Sequence, residues 1–510
     1  MAALSTVSVR PSTLMDTTNA DAADPASSTS AGAGYPERVL LNKTARISAD
    51  RNATTAACRT RDGQAIAVSF WLADPPDVSH FSVHCPGIEE GDFSKPPPSI
   101  ISAEGAFVLF RVTLEESDHH LVYSACGNPT TGKKKKKNKP SFHLLPDPKP
   151  AVEAFESQQF GLLPLGDEHY AVAFLDHRWD SRGNAWAYRA YVFSSKTKAW
   201  KKSRDASLHL SESDRLLFDR HASSKQIAVG ASSLGWVDLM RGIILLSNLF
   251  DGEPPVITYI PLPAEKVCIT DKHGYPHYAP EYFCDVVCCH DLISFVEIDF
   301  EDPGCRANGK AWKATTWHRK VSWDDWHKHA TVDVAHISVD PRYSAMLFPD
   351  LLLDDQKQEL ELKNLFFLNP ILGVSGDDDL LYMLAKVDEG DDAAWVAAVD
   401  MKHAALQSLA TVSTKDSNAI PMYRECAFPS YYINNISSSD VGNLVEKDKS
   451  DKWQQRGPNL VDSGGNPQKK KRQKKKHARL VDRPVEHPFF LYFIGCVIIA
   501  IIVKVFFHLS

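Results

Sequence analysis

One short stretch of the sequence comes close to a phosphate-binding loop. GNPTTGKK, residues 127–134, places glycines and a lysine much as a P-loop does, where backbone N–H groups cradle phosphates and Ser or Thr reaches Mg²⁺. However, Lys134 stands at the Ser/Thr position, Pro129 removes a backbone donor, and poly-lysine follows instead of an amphipathic helix. A solvated loop is therefore the better interpretation.

A second stretch, CDVVCCHD (284–291), together with Cys305, contains enough thiols and imidazole to suggest zinc. On a strand, Cys284 and Cys288 would lie about 13 Å apart at roughly 3.3 Å per residue, which is too far to hold one ion. A helix would bring them together, but the surrounding valines and isoleucines favour a strand. We therefore interpret these cysteines as small apolar residues of a core strand.

The remaining candidates are weaker. The acidic groups at 377–379 and 388–392 could bind a divalent cation, but they fall at turn positions, where Asp is favoured for backbone reasons. GASSLG (230–235) lacks the spacing of a hydrolase nucleophile elbow. The tryptophans of WHRKVSWDDWHKH (317–329) are expected to pack between β-elements. We predict no enzyme, no cofactor and no metal site.

Charge is distributed unevenly along the 510 residues. The net charge is −7, but Lys133–Lys137, Lys139 and the run at 469–479 supply fourteen of the 57 basic residues. The rest of the chain carries 43 basic against 64 acidic residues, so an acidic body is expected to repel phosphates. Nucleic acid is accordingly an unlikely partner, although a nuclear or nucleic-acid role through the two lysine-rich tracts is an alternative.

The C-terminal segment 488–510 is predicted to span a membrane. Phe489 to Phe507 is apolar apart from Lys504, and its 19 residues would form about 28 Å of helix, close to the bilayer core of about 30 Å. Tyr492 suits the headgroup region on one side, Val503 ends the uncharged stretch, and Lys504 is placed to reach the headgroups on the other side.

A basic collar precedes this segment and predicts its orientation. Its members are Lys469, Lys470, Lys471, Arg472, Lys474, Lys475 and Lys476. By the positive-inside rule the large N-terminal part stays cytosolic, and the collar is expected to contact anionic lipids. We therefore predict a single-pass, tail-anchored protein of the endoplasmic reticulum membrane, with the nuclear envelope as the alternative location.

Between residues 36 and 434 the sequence predicts a β-rich globular body. Short apolar runs such as AFVLFRVTL (106–114) alternate with turn residues, and LLYMLAKV (380–387) with WVAAVDM (395–401) reads as a hairpin. Repeated four-stranded units favour a propeller-like assembly of antiparallel sheets, with two packed β-sandwich domains as the alternative. Residues 1–35 are predicted to be disordered, 127–150 to form a lysine-rich loop, and 435–487 to form a linker.

The stretch SSLGWVDLMRGIILLSNLF, followed by PPVITYIPLP (232–263), resembles the signature of the plant domain-of-unknown-function 1618 family, which is abundant in grasses. The similarity extends over about 160–430, and Met240 stands where the pattern leads us to expect Trp. The residues that carry it are Gly235, Trp236, Asp238, Arg241, Gly242, Trp312, Trp317, Trp323 and Trp326.

The resemblance implies a largely β, propeller-like fold similar to F-box-associated domains, and it transfers no catalytic residue. No F-box-like helical segment precedes the body, which argues against a substrate-adaptor role. We expect a cytosol-facing interaction module that recruits a protein partner to a membrane. An enzyme with an unrecognised acidic site is the alternative.

Overall fold

The structure is a computed structural model that describes most of the predicted body. It describes residues 35–88, 93, 97–114, 117–126, 139–148, 160–180, 185–250, 254–263, 279–300, 312–343, 362–373, 379–387, 391–414 and 422–433. The predictions for the N-terminal segment before Tyr35, the P-loop-like stretch, the linker 435–487 and the tail 488–510 lie outside these residues. Within them, no helix is long and apolar enough to cross a membrane.

The described strands form six sheets. Blade 1 contains β1 (Val39–Asn42), β2 (Arg46–Ile47), β3 (Ala56–Arg59), β4 (Ala65–Trp71), β5 (Val78–His84) and the last strand, β27 (Tyr423–Cys426). Blade 2 contains β6 (Ser99–Glu104), β7 (Phe107–Leu114), β8 (Ser117–Ser124) and β9 (Ser141–Leu144). Blade 3 contains β10 (Gly161–Pro164), β11 (Tyr170–Asp180), β12 (Ala185–Ser194) and β13 (Ala199–Asp205).

The next three sheets follow in the same way. Blade 4 contains β14 (Ser207–His209), β15 (Lys225–Val229), β16 (Ser233–Asp238), β17 (Gly242–Ser247) and β18 (Val256–Pro261). Blade 5 contains β19 (Cys284–Cys289), β20 (Leu292–Phe300), β21 (Trp312–Lys320) and β22 (His327–Asp333). Blade 6 contains β23 (Phe366–Leu372), β24 (Leu380–Lys386), β25 (Ala393–Asp400) and β26 (Ala405–Ser413).

Helical structure is minor in the part of the chain that the structure describes. The sheets are connected or covered by the short α-helices α1 (Glu212–Phe218) and α2 (Ser430–Ile433), by helical residues at 341–343, and by 3₁₀ turns at Pro280–Tyr282, Val334–His336 and Leu362–Asn364. The sequence DLLLDDQKQELELKNLFF (350–367) has an apolar spacing that favours a helix, and most of it lies outside the described residues. Its described end is a 3₁₀ turn followed by β23 from Phe366, so a helix is wrong there.

The six sheets form a β-propeller, in which one end strand of each sheet contributes to an inner ring. β10 packs beside β6 and β15, β15 beside β19, β19 beside β23, and β23 beside β27. Blade 1 closes the ring, because β27 from the C-terminal side pairs antiparallel with β1, from Val39↔Cys426 to Asn42↔Tyr423. The fold is therefore mainly β with six blades, and the alternative of two β-sandwich domains is wrong.

Each hydrophobic core lies between two neighbouring blades. Six separate clusters of buried side chains join blades 1 and 2, 2 and 3, 3 and 4, 4 and 5, 5 and 6, and 6 and 1. A blade is thus covered on both faces, and its strands need apolar side chains at consecutive positions instead of alternate ones. In β17, Ile243 and Leu245 face blade 5, whereas Ile244 and Leu246 face blade 3.

One boundary from the sequence needs correction. Residues 127–150 were predicted to form a loop, but Ser141–Leu144 is β9, which pairs antiparallel with β8 from Leu121↔Leu144 to Ser124↔Ser141. Phe142 is buried in the core between blades 1 and 2. A strand this short, placed between a polylysine tract and two Pro residues, gives little periodic signal.

Candidate functional site in the central channel

A cavity of about 200 Å³ lies at the inner ring, and blades 1, 2, 4, 5 and 6 all contribute to its lining. The unusual feature of this lining is its charge. Its ionisable side chains, cysteines aside, include Arg38, Lys43, Glu104, Lys225, Glu281, Asp285, Arg424 and Glu425. Charges away from bulk water require partners, so the pairing of these groups decides what the channel can do.

Lys225 and Asp285 form an ion pair that connects blades 4 and 5. The Lys225 Nζ to Asp285 Oδ1 distance is 2.6 Å, and both side chains are largely buried. The second oxygen of Asp285 accepts a hydrogen bond from the backbone N–H of Leu372 in blade 6, at 3.3 Å. One carboxylate therefore holds the inner strands of three blades together.

Arg424 likewise connects inner strands of different blades. Its guanidinium donates to Glu104 Oε1 at 3.2 Å, to the Ile101 carbonyl at 3.1 Å and to the Gln226 carbonyl at 3.0 Å. Burial raises the pKa of Glu104, and the positive charge of Arg424 opposes that effect. β27 is thereby joined to blades 2 and 4. A third pair, Arg38 with Glu425 at 3.6 Å, lies within blade 1.

Lys43 differs from these cations. Its backbone is fixed between two inner strands, because its N–H donates to the Met422 carbonyl at 2.9 Å and its carbonyl accepts from the Ile100 N–H at 2.8 Å. Its ammonium has no carboxylate at ion-pair distance among the described residues. Burial, helped by the nearby positive charges of Arg424 and Lys225 and opposed by Glu281 and Asp285, lowers the pKa of Lys43 to about 8.

Two thiols along the channel, those of Cys288 and Cys426, are chemically quiet. Burial raises the pKa of Cys288 to about 12 and raises that of Cys426 still further. A thiolate is the reactive form of cysteine, so these side chains stay protonated at neutral pH. Cys284 and Cys288 lie on strand β19, the conformation that the sequence favoured over a zinc-binding helix.

The residues that carry the family resemblance in blade 4 have clear structural positions. The buried carboxylate of Asp238 accepts hydrogen bonds from the N–H groups of Ala222 at 2.9 Å and Met240 at 2.8 Å, and from Arg241 Nη1 at 3.0 Å. Asp238 thus holds the turn between β16 and β17. Trp236 is buried in the core between blades 3 and 4.

The two glycines of that stretch lie where a side chain would collide. A Cβ on Gly242 would lie 2.5 Å from the carbonyl oxygen of Ile260, and one on Gly235 would lie 2.9 Å from Ile227 Cγ1. Neither position brings a reactive group to the channel. These residues, together with Asp238 and Arg241, therefore have packing and turn-forming positions in the structure.

The four tryptophans of blade 5 lie away from the channel lining. Trp312 is buried against Phe367 of blade 6, with ring centroids 5.1 Å apart. Trp317 is buried in the core between blades 4 and 5, and Trp326 donates its ring N–H to the Pro261 carbonyl at 2.8 Å. Trp323 packs edge-on against His327.

The predicted membrane-span residues Phe489, Tyr492, Val503, Lys504 and Phe507 and the basic collar at 469–476 are outside the described part of the chain. Among the described residues, sequence reasoning missed the charged channel. Its members are scattered from Arg38 to Glu425 and share no spacing, so no local signal could have revealed them.

Comparison with known proteins adds a family-model match over part of the chain and a distant structural likeness. None of the curated proteins matches the chain. A similar solved structure is the WD40 domain of SCAP from fission yeast, at 11% sequence identity and a TM-score of 0.26, covering 75% of this chain and 89% of that chain. At that score the likeness carries no argument, and the propeller assignment rests on the six sheets. Residues 236–382 match the profile of the family described as "Protein of unknown function (DUF1618)", which supports the resemblance seen in the sequence.

Proposed function

We propose that this propeller is a protein-interaction module that binds an acidic group of a partner protein in the channel, at Lys43. One observation carries the proposal: Lys225, Arg424 and Arg38 each have a carboxylate partner, and Lys43 has none within the described residues. A partly buried ammonium without a counter-ion is an unfavourable arrangement in the free protein. A carboxylate supplied by a partner removes that cost.

The size and rigidity of the channel favour part of a protein over a whole small molecule. Ligand pockets usually measure about 300–1,000 Å³, and this cavity is about 200 Å³. It suits one acidic side chain or a terminal carboxylate. The ion pairs of Asp285 and Arg424 tie the inner strands together, so the geometry around Lys43 is set before binding, which lowers the entropic cost of association.

A peptide-display selection on the immobilised full chain tests this function. We expect enriched peptides to carry Asp, Glu or a free C-terminal carboxylate at a constant position, and to bind Lys43→Met at least about tenfold more weakly, the loss that corresponds to about 1.4 kcal/mol. Lys402→Met, a change at an exposed lysine, serves as the matched control. Enrichment of peptides without acidic groups, or equal binding to both variants, would reject the proposal.

The proposal also includes the C-terminal segment as the device that brings the partner to a membrane. It is supported by the apolar run from Phe489 to Phe507 and by the basic collar before it. Deletion of residues 488–510 is expected to move the protein from the membrane fraction to the supernatant after centrifugation of cell lysate. Continued sedimentation with membranes would show that this segment is not the anchor, and it would leave the channel proposal untouched.

A further inference from the structure

Two histidines and an aspartate meet where blade 5 faces blade 6. His318 lies on β21, His329 on β22, and Asp379 immediately before β24. The imidazole rings of His318 and His329 are stacked with centroids 4.0 Å apart and an interplanar angle of 18°. His329 Nε2 lies 2.9 Å from Asp379 Oδ1, and one ligand atom from each of the three residues lies within 4.8 Å of the others.

A β-bulge places His329 in this position. Thr316 pairs with Ala330 and Trp317 pairs with Lys328, so His329 is the additional residue of β22. Bulges re-aim a side chain out of the regular alternation of a strand. Thr316 stabilises this one, because its hydroxyl accepts a hydrogen bond from the Ala330 N–H at 3.2 Å. The stacking of His329 on His318 is thus built into the hydrogen-bonding pattern of the blade.

Asp379, the third residue of the cluster, is also held in place by backbone hydrogen bonds. The carbonyl of Asp379 accepts a hydrogen bond from the Met401 N–H at 2.8 Å, and the next residue, Leu380, pairs with Asp400 in β25. All three side chains therefore project from backbone that is hydrogen-bonded into sheets, which is the kind of support that a binding site needs. His318 and Asp379 are partly buried, and His329 is exposed and gives access to solvent.

We propose that His318, His329 and Asp379 form a binding site for a divalent transition metal ion, with Zn²⁺ as the best fit. Two imidazole nitrogens and one carboxylate oxygen are donors that Zn²⁺ prefers at about 2.0–2.2 Å. The ligand atoms lie within 4.8 Å of one another, so metal binding requires side-chain rotations that turn the two rings out of their stacked arrangement and bring the three donors closer to the ion. Three protein ligands leave a fourth position open to water or to a side chain of another molecule.

A second histidine–aspartate pair, within blade 6, provides an internal comparison. His403 Nδ1 lies 2.7 Å from Asp400 Oδ2, and no third His, Cys, Asp or Glu completes that pair among the described residues. Both sites thus contain a histidine–aspartate pair, but among the described residues only His318, His329 and Asp379 form a set of three ligands. This difference lets one experiment separate metal binding from ordinary histidine–aspartate pairing.

Titration of the purified full-length chain with Co²⁺, followed by displacement with Zn²⁺, tests the site. Co²⁺ is a useful probe because it gives a charge-transfer absorption when thiolates bind it and none when only nitrogen and oxygen ligands do. Binding by any of the ten cysteines is therefore distinguished from binding at the proposed site. We expect one equivalent of Co²⁺ to bind without that absorption. His329→Gln and Asp379→Asn should each lower the affinity by at least about 100-fold, the upper end of the cost of losing even an outer-sphere partner. His403→Gln should leave the affinity unchanged.

Thermal unfolding measured with and without Zn²⁺ supplies a second readout. Zn²⁺ should raise the melting temperature of the native chain and of His403→Gln, but not that of His329→Gln, because a ligand that binds only the folded state stabilises it. Melting temperatures without metal report whether each variant folds. If the His329→Gln and Asp379→Asn chains bind Co²⁺ as the native chain does, or if no chain binds it, the cluster is an ion pair only and the proposal is overturned.

Discussion

Replacing Lys43 by Met should make the protein more stable while weakening its proposed binding at least about tenfold. Burial lowers the pKa of Lys43 from 10.5 to about 8, which means that the charged side chain costs free energy in the folded state. At about 1.4 kcal/mol per pKa unit, and discounted for the partial exposure of the side chain, we expect a gain of about 2 kcal/mol near pH 7. Functional positions commonly carry such a stability cost.

The stability gained by Lys43→Met should depend on pH in a defined direction. Lys43 has a lower pKa when folded than when unfolded, so its cost is fully present below about pH 8 and declines as the pH rises toward 10.5. Urea unfolding at pH 7 and pH 9.5 measures the effect. The advantage of Lys43→Met over the native chain should fall to less than half at the higher pH. Equal stability of Lys43→Met and Lys402→Met at pH 7, or a gain that does not change with pH, would refute the reasoning.

Two further predictions concern the turn between β16 and β17 and are measured by the same urea unfolding. Gly242→Ala should lower the free energy of unfolding by about 2–3 kcal/mol, because the new Cβ would lie 2.5 Å from the backbone oxygen of Ile260 and overpacking in a core costs about 1–3 kcal/mol. Gly161→Ala is the control, since only the end of a leucine side chain lies near it. It should lower the free energy of unfolding by less than about 1 kcal/mol. An equal cost at both glycines would contradict this. Asp238→Ala should cost about 3–5 kcal/mol, since two backbone N–H groups and Arg241 lose their acceptor; a loss below about 1 kcal/mol would show that the carboxylate does not hold the turn.

The class of fold could be predicted from the sequence because each blade needs unusually apolar strands. GIILLS in β17 has no polar face, and its alternate residues enter the cores on either side of blade 4. Pairing of LLYMLAKV with WVAAVDM followed from the turn residues between them, and the structure pairs β24 with β25.

The number of blades could not be predicted because the repeats are irregular. Blade 1 combines β1 with β27 from the other end of the described chain, and blade 4 has an additional strand, β14, that pairs parallel with β18. Lys43 shows the same difficulty at the site. In NKTAR it looks like a surface lysine, and only closure of the ring by β27 brings it to the channel.

The sequence shows the residues of the proposed metal site but gives no reason to group them. In the sequence Asp379 falls at a turn position, and the stretch that contains His318 and His329 is explained by tryptophans that pack between β-elements. Spacing along a regular strand gives no reason to join these residues. The bulge at His329 and the approach of blade 6 supply that reason, and neither has a sequence signal of its own.

A double-mutant cycle between Lys43 and the acidic group of a selected peptide tests the central claim most directly. The four affinities combine the native chain or Lys43→Met with the peptide or its version in which Glu or Asp is replaced by Gln or Asn. Direct contact in the channel predicts a coupling free energy of at least about 1.5 kcal/mol, the lower end for close charge pairs across interfaces. A coupling within about 0.5 kcal/mol of zero, as found for distant independent sites, would contradict it.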